Sequence, residues 1–63
     1  MKPQTRWHMQ NATHMVEWPN TEGGLTAAKA FRKTSPAFKR RRIRHVIQVY
    51  PDRVPCGTVL PMT

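Results

Sequence analysis

Apolar and polar positions alternate most clearly towards the C-terminal end of the chain. Ile43, His45, Ile47 and Val49 fall on one side of an extended segment, and Arg44, Val46, Gln48 and Tyr50 on the other. β-branched residues dominate, so the pattern predicts a strand over residues 43–50. Tyr50-Pro51-Asp52-Arg53 predicts a turn with proline at its second position. Thr58-Val59-Leu60 reads as a short return strand, which Pro55 and Pro61 confine to an edge or an extended tail.

A different period precedes this region. Leu25, Ala28 and Phe31 recur at a spacing of three among alanine, lysine and arginine, which are strong helix formers. A helix is therefore predicted near residues 26–34, with Thr26 as its N-cap. Lys and Arg lie in the last turn, where the helix dipole favours cations, and Ser35-Pro36 ends the element. Gly23-Gly24 reads as a flexible break before it. The apolar stripe is thin: enough to dock one face, too little for a core. In residues 1–20, Trp7, His14 and Trp18 stand seven and four apart, and a short helix from Asn11 to Trp18 would bring His14 and Trp18 to one face. The segment is short and polar, and an irregular conformation with its tryptophans packed on a neighbour is preferred over that helix.

Composition changes the picture. Leu, Ile, Val and Phe make up 11 of 63 residues, about 17%, which is below the ~20% under which a strongly charged chain tends to be disordered. Cys56 is the single cysteine, so no internal disulfide can compensate. The expected fold class is a mostly irregular or extended small basic chain without an independent hydrophobic core. It is read as one unit, residues 1–63, ordered by a partner. Its parts are an aromatic, methionine- and histidine-containing segment (1–20), a glycine linker with a short basic helix (21–36), and a basic run with strand and proline-rich tail (37–63).

The formal charge of +8 points to a polyanionic partner. Eight of the eleven Lys and Arg residues lie between positions 29 and 44: Lys29, Arg32, Lys33, Lys39, Arg40, Arg41, Arg42 and Arg44. No acid occurs between Glu22 and Asp52. Extended, these sixteen positions would reach roughly 50 Å along a line of phosphates. Arginine prevails in the run, and its planar fork suits phosphate while its face stacks on bases. Trp7, Trp18, Phe38 and Tyr50 are the candidate base-stacking residues, which favours RNA with its exposed bases over duplex DNA. No helix-turn-helix, zinc-finger or RNA-recognition signature accompanies them.

Other chemistry finds little support. His8, His14, His45 and Cys56 match no zinc spacing, and Glu17, Glu22 and Asp52 are scattered. No catalytic residue, metal or cofactor is expected, nor a small-molecule substrate or a homo-oligomer, and the chain is read as a non-enzyme. No stretch is long and apolar enough for a transmembrane helix, and no secretory signal is expected. The expected function is a structural RNA-binding component of a large ribonucleoprotein, a small ribosomal protein contacting rRNA phosphates and neighbouring ribosomal proteins, with a mitochondrial ribosome favoured over a cytosolic one. The alternatives are a peripheral subunit of a multiprotein or membrane complex and a small nuclear DNA-binding regulator.

Overall fold

Asn11 reverses the chain. Its side-chain Oδ1 accepts from the backbone N–H groups of Thr13 (2.8 Å) and His14 (2.7 Å), while its own N–H donates to the His14 carbonyl (2.9 Å). This side-chain mimicry of a backbone turn is a property of Asn and Asp. The strands on either side, β1 (Thr5–Gln10) and β2 (His14–Trp18), pair antiparallel with Trp7 opposite Trp18, His8 opposite Glu17 and Met9 opposite Val16. The computed structural model describes residues 4–62. Neither the irregular segment nor the Asn11–Trp18 helix is found. Alternation of period two places Trp7, Met9, Val16 and Trp18 on one sheet face, and His8 and Glu17 on the other.

Helix α1 (Glu22–Thr34) begins earlier than its composition predicts. Thr21, not Thr26, is the N-cap, and its hydroxyl accepts from the Gly24 N–H at 3.0 Å. Glu22 complements the positive end of the helix dipole. The two glycines lie inside the first turn instead of forming a break. Gly24 is required there by contact: a Cβ at this position would sit 1.9 Å from the Pro19 carbonyl oxygen. A 3-10 turn, Pro36–Phe38, follows the helix.

The predicted strand forms as β3 (Arg44–Ile47), shorter than expected. It pairs with β1, with Trp7 opposite His45. The return strand is β4 (Leu60–Pro61), which pairs with β2. The four-stranded antiparallel sheet has the order β3-β1-β2-β4, so Pro61 does lie on an edge. The proline turn falls one residue later than predicted, closed by the Val54 N–H on the Pro51 carbonyl at 3.0 Å.

The expectation of a chain without a core is overturned. Met9, Val16, Trp18, Ala28 and Phe38 form a buried cluster between α1 and the sheet, with Trp7, Phe31 and Ile43 packed against it. Phe31 bridges Trp18 and Phe38, its ring centroid 5.4 and 5.3 Å from theirs in tilted arrangements, the geometry aromatic quadrupoles prefer. The radius of gyration is 10.8 Å, matching the ~10.6 Å of a compact chain of this length. The aliphatic count misleads because methionine, tryptophan and tyrosine supply the missing area. Each aromatic ring alone buries roughly 150–250 Å².

The second sheet face carries a buried polar cluster. His8 Nδ1 donates to Glu17 Oε2 at 2.7 Å, and His8 Nε2 lies 2.8 Å from Gln10 Oε1. Glu17 is fully buried. Its carboxylate also accepts from the backbone N–H groups of Val49 (3.2 Å) and Tyr50 (3.0 Å). The segment after β3 is thereby fastened across the sheet, with Tyr50 buried against Glu17 and Met15.

Two outcomes are expected. Glu17→Ala removes the acceptor of two buried donors and one part-buried donor and should destabilise the fold by about 3–5 kcal/mol. The whole stability of a chain this size is on the order of 3–9 kcal/mol. Urea denaturation followed by circular dichroism should show a cooperative transition for the parent chain and a largely unfolded variant. Burial pushes the Tyr50 hydroxyl from 10.0 up to about 12. The folded state thus holds this proton more tightly than the unfolded chain. Its stabilising contribution is full below pH 10 and is lost as the pH rises through about 12. Tyr50 is the single tyrosine, so its tyrosinate absorbance reports the site alone. Ionisation with a midpoint near 10 in the folded protein would contradict this burial.

Candidate nucleic-acid interface

The basic stretch does not run extended. Residues 29–44 fold through the second half of α1, the 3-10 turn, a linker and the start of β3. The whole molecule spans 34 Å along its longest axis, less than the roughly 50 Å reach of an extended stretch. Charge is therefore concentrated on a compact surface.

Five of the eight basic residues, Lys29, Arg32, Lys33, Lys39 and Arg40, surround one open cleft of about 830 Å³. Its helix wall comes from Thr26, Lys29, Ala30 and Lys33, which share one outward face by their spacing of three and four. The opposite wall is the turn from Ser35 to Arg40. Ala28, one helix face away, is buried in the core, so the same helix docks on the sheet and presents cations to solvent. Arg32 is half-buried and ties the walls together, its Nη1 donating to the Arg41 carbonyl at 3.2 Å. Arg41 and Arg42 are exposed in the linker, and Arg44 is exposed on edge strand β3, opposite His8.

Electrostatics favour an anion in this cleft. Among the described residues the ion pairs are Arg6–Asp52 at 4.0 Å and His8–Glu17 at 2.7 Å, and none of the eight basic residues takes part in either. Glu22 stands at the other end of α1, about 16 Å from Lys33 along the helix axis at 1.5 Å per residue. That exceeds the Debye length of ~8 Å at physiological salt. The C-terminal end of the helix contributes a partial negative charge of about half a unit, far less than the five surrounding cations.

The four aromatic candidates divide differently. Trp18, Phe38 and Tyr50 are 6%, 2% and 2% exposed. They are core side chains, and their rings offer no free face to a base. Trp7 is half-buried and stacks on His45, with ring centroids 4.4 Å apart and planes 26° from parallel. His45 in turn pairs with Asn20 Oδ1 at 2.7 Å. Trp7 therefore already has a partner on one face. The His and Cys residues are dispersed: His8 is paired with Glu17, His14 lies by the Asn11 turn, His45 is on Trp7, and Cys56 is exposed. No three of His, Cys, Asp and Glu gather as a metal-binding group among the described residues. Nor is any helix there long and apolar enough to cross a membrane.

Sequence reasoning did not find the cleft, although a signal was present. Thr26 and Ala30 are small residues four apart, alternating along one helix face with Lys29 and Lys33, which are also four apart. On a helix that pattern makes a depression rimmed by cations.

Arg40 has φ = +64°, the left-handed region. This conformation costs an L-residue roughly 1–2 kcal/mol, and glycine would adopt it without strain but lose about 0.5–1 kcal/mol in chain entropy. Arg40→Gly is therefore expected to leave stability unchanged or raise it by up to about 1.5 kcal/mol on these figures, while weakening polyanion binding. Denaturation midpoints and a heparin-retention assay on the two proteins check both halves. No protein-family model matches the chain, and no curated protein or solved structure is detectably similar to it, so a functional reading rests on this surface itself.

Proposed function

We propose that this protein is an RNA-binding component of a ribonucleoprotein and holds RNA through its backbone phosphates. The observation that carries this reading is the set of eight cations from Lys29 to Arg44, none in an ion pair among the described residues, five of them around one cleft. Unpaired cations at this density repel one another, and a polyanion relieves that repulsion while releasing its own counterions. A ribosome is the proposed particle on grounds of size and charge; a mitochondrial one is placed before a cytosolic one as a prior that neither size nor charge supplies. The manner of binding differs from a partner-ordered tail, because the core supports the surface before RNA arrives.

One observation favours a second reading, contact with duplex DNA. The folded chain offers a helix with small residues and lysines on its outer face, Thr26, Lys29, Ala30 and Lys33, and a major groove admits such a helix.

The decisive measurement is the salt dependence of binding to structured RNA, single-stranded RNA and duplex DNA. At ~0.7 per single-strand contact, a slope of about −3 to −5 is expected for log K against log salt. The variant carrying Gln at Arg40, Arg41, Arg42 and Arg44 should flatten that slope by about 2–3 and weaken binding similarly across RNA sequences, since phosphate contacts carry no base code. Equal binding by variant and parent at physiological salt would refute the proposal. Clear preference for duplex DNA would transfer it to the second reading.

A further inference from the structure

The shape of the basic surface says more than its charge. A duplex is a convex rod with its phosphates on the outside, and a flat or gently curved basic surface matches it best. Here the cations stand around an open concavity that uncharged residues also line. Ala30 and Pro36 are both exposed and line it. A volume of about 830 Å³ falls within the ~300–1,000 Å³ typical of small-ligand sites. A surface that binds only phosphate has no need of an apolar patch set among its cations.

We propose that the cleft is a pocket for an unpaired nucleotide of a single strand. Its base or sugar lies against Ala30 and Pro36, and its flanking phosphates meet Lys33 and Lys39. The inference rests on the RNA-binding reading and deepens it. RNA loops, bulges and ends supply bases free to leave the stack and enter a recess. No aromatic side chain lines this one, so the stacking surface is the guanidinium of Arg40, a plane that bases accept. Two features hold the rim in place. Arg32 on α1 bonds the carbonyl of Arg41, the residue after Arg40, and the Arg41 N–H closes the turn on the Phe38 carbonyl at 3.1 Å. The left-handed Arg40 between them keeps a long cationic side chain where glycine would be less strained. Contacts of this kind discriminate weakly among bases, so the pocket selects unpaired over paired RNA more than one sequence over another.

The test fills the recess without altering charge. Leucine at both Thr26 and Ala30 occupies two exposed helix positions, and leucine is a good helix former. Fluorescence anisotropy would compare binding of a short single-stranded RNA and a blunt RNA duplex of equal length to the parent and to Thr26→Leu/Ala30→Leu. A second variant, Lys33→Gln/Lys39→Gln, removes charge and leaves the apolar lining and Arg40 in place. The filled variant should lose about tenfold in single-strand affinity, the scale of one base contact, with duplex binding unchanged. The charge variant should weaken both. If filling changes neither while charge removal weakens both, the pocket is refuted and the RNA reading stands. If neither variant weakens binding, both fail. A filled variant that loses single-strand and duplex affinity alike also refutes the pocket. So does polyglutamate, if it displaces single-stranded RNA from the parent as effectively as unlabelled RNA of equal charge. Folding of the filled variant is checked by circular dichroism, and the parent protein gives an independent readout. Adenosine 5′-monophosphate should shift the Thr26 and Ala30 amide resonances more than inorganic phosphate at the same concentration. Equal shifts from the two would overturn the proposal.

Discussion

A single buried carboxylate closes this fold. Glu17 accepts from His8 on the neighbouring strand and from the Val49 and Tyr50 amides on the segment that follows β3. A carboxylate taken out of water is tolerated only with such a complement of donors. The donors come from two distant parts of the sequence, so satisfying the charge also fixes the path of the chain. Residues 18–48 form a loop whose two ends meet at Glu17, and all eight basic residues of the stretch lie within it. Their mutual repulsion is borne by a closed frame.

The helix and the edge strand were legible in the sequence because each follows one simple period. Leu25, Ala28 and Phe31 keep the helical spacing, and Ile43, His45 and Ile47 keep the alternation of a strand. The hairpin was not legible. Its inward residues are Trp7, Met9, Val16 and Trp18, only one of them β-branched, on strands of six and five residues. The tryptophan and histidine spacing also fits a helix turn as well as a strand. Glu17 offered no warning, since an acid between Val16 and Trp18 reads as a surface position on an alternating strand. Only the register set by Asn11 places it opposite His8 and makes burial feasible. The helix start was missed because paired glycines ordinarily break helices, and the contact of Gly24 with Pro19 is tertiary.

The path of the basic stretch, unlike its composition, was not legible. Each of the eight cations could be named from the charge run, but an extended ribbon and a folded cleft have the same sequence. What separates them is the core beneath. Phe31 and Phe38, interleaved among the cations, are the residues that bend the stretch back on itself, because Phe31 packs on Trp18 and Phe38 packs on Phe31. Aromatic interleaving therefore signalled packing for Trp18, Phe38 and Tyr50, and Trp7 alone keeps a half-exposed ring.

The contact between Gly24 and Pro19 has a consequence for how the two halves of the molecule can change. The first turn of α1 rests on main chain, with no intervening side chain to resize. Its seat is therefore insensitive to exchanges among Met9, Val16 and Phe38, whose volumes can trade against one another without tilting the helix at that end. The outward residues Thr26, Lys29, Ala30 and Lys33 are exposed and answer to what they bind, not to the packing beneath. A lineage could retune what the outer face grips while leaving the interior alone, or the reverse, because backbone against backbone serves as the bearing on which both are aligned.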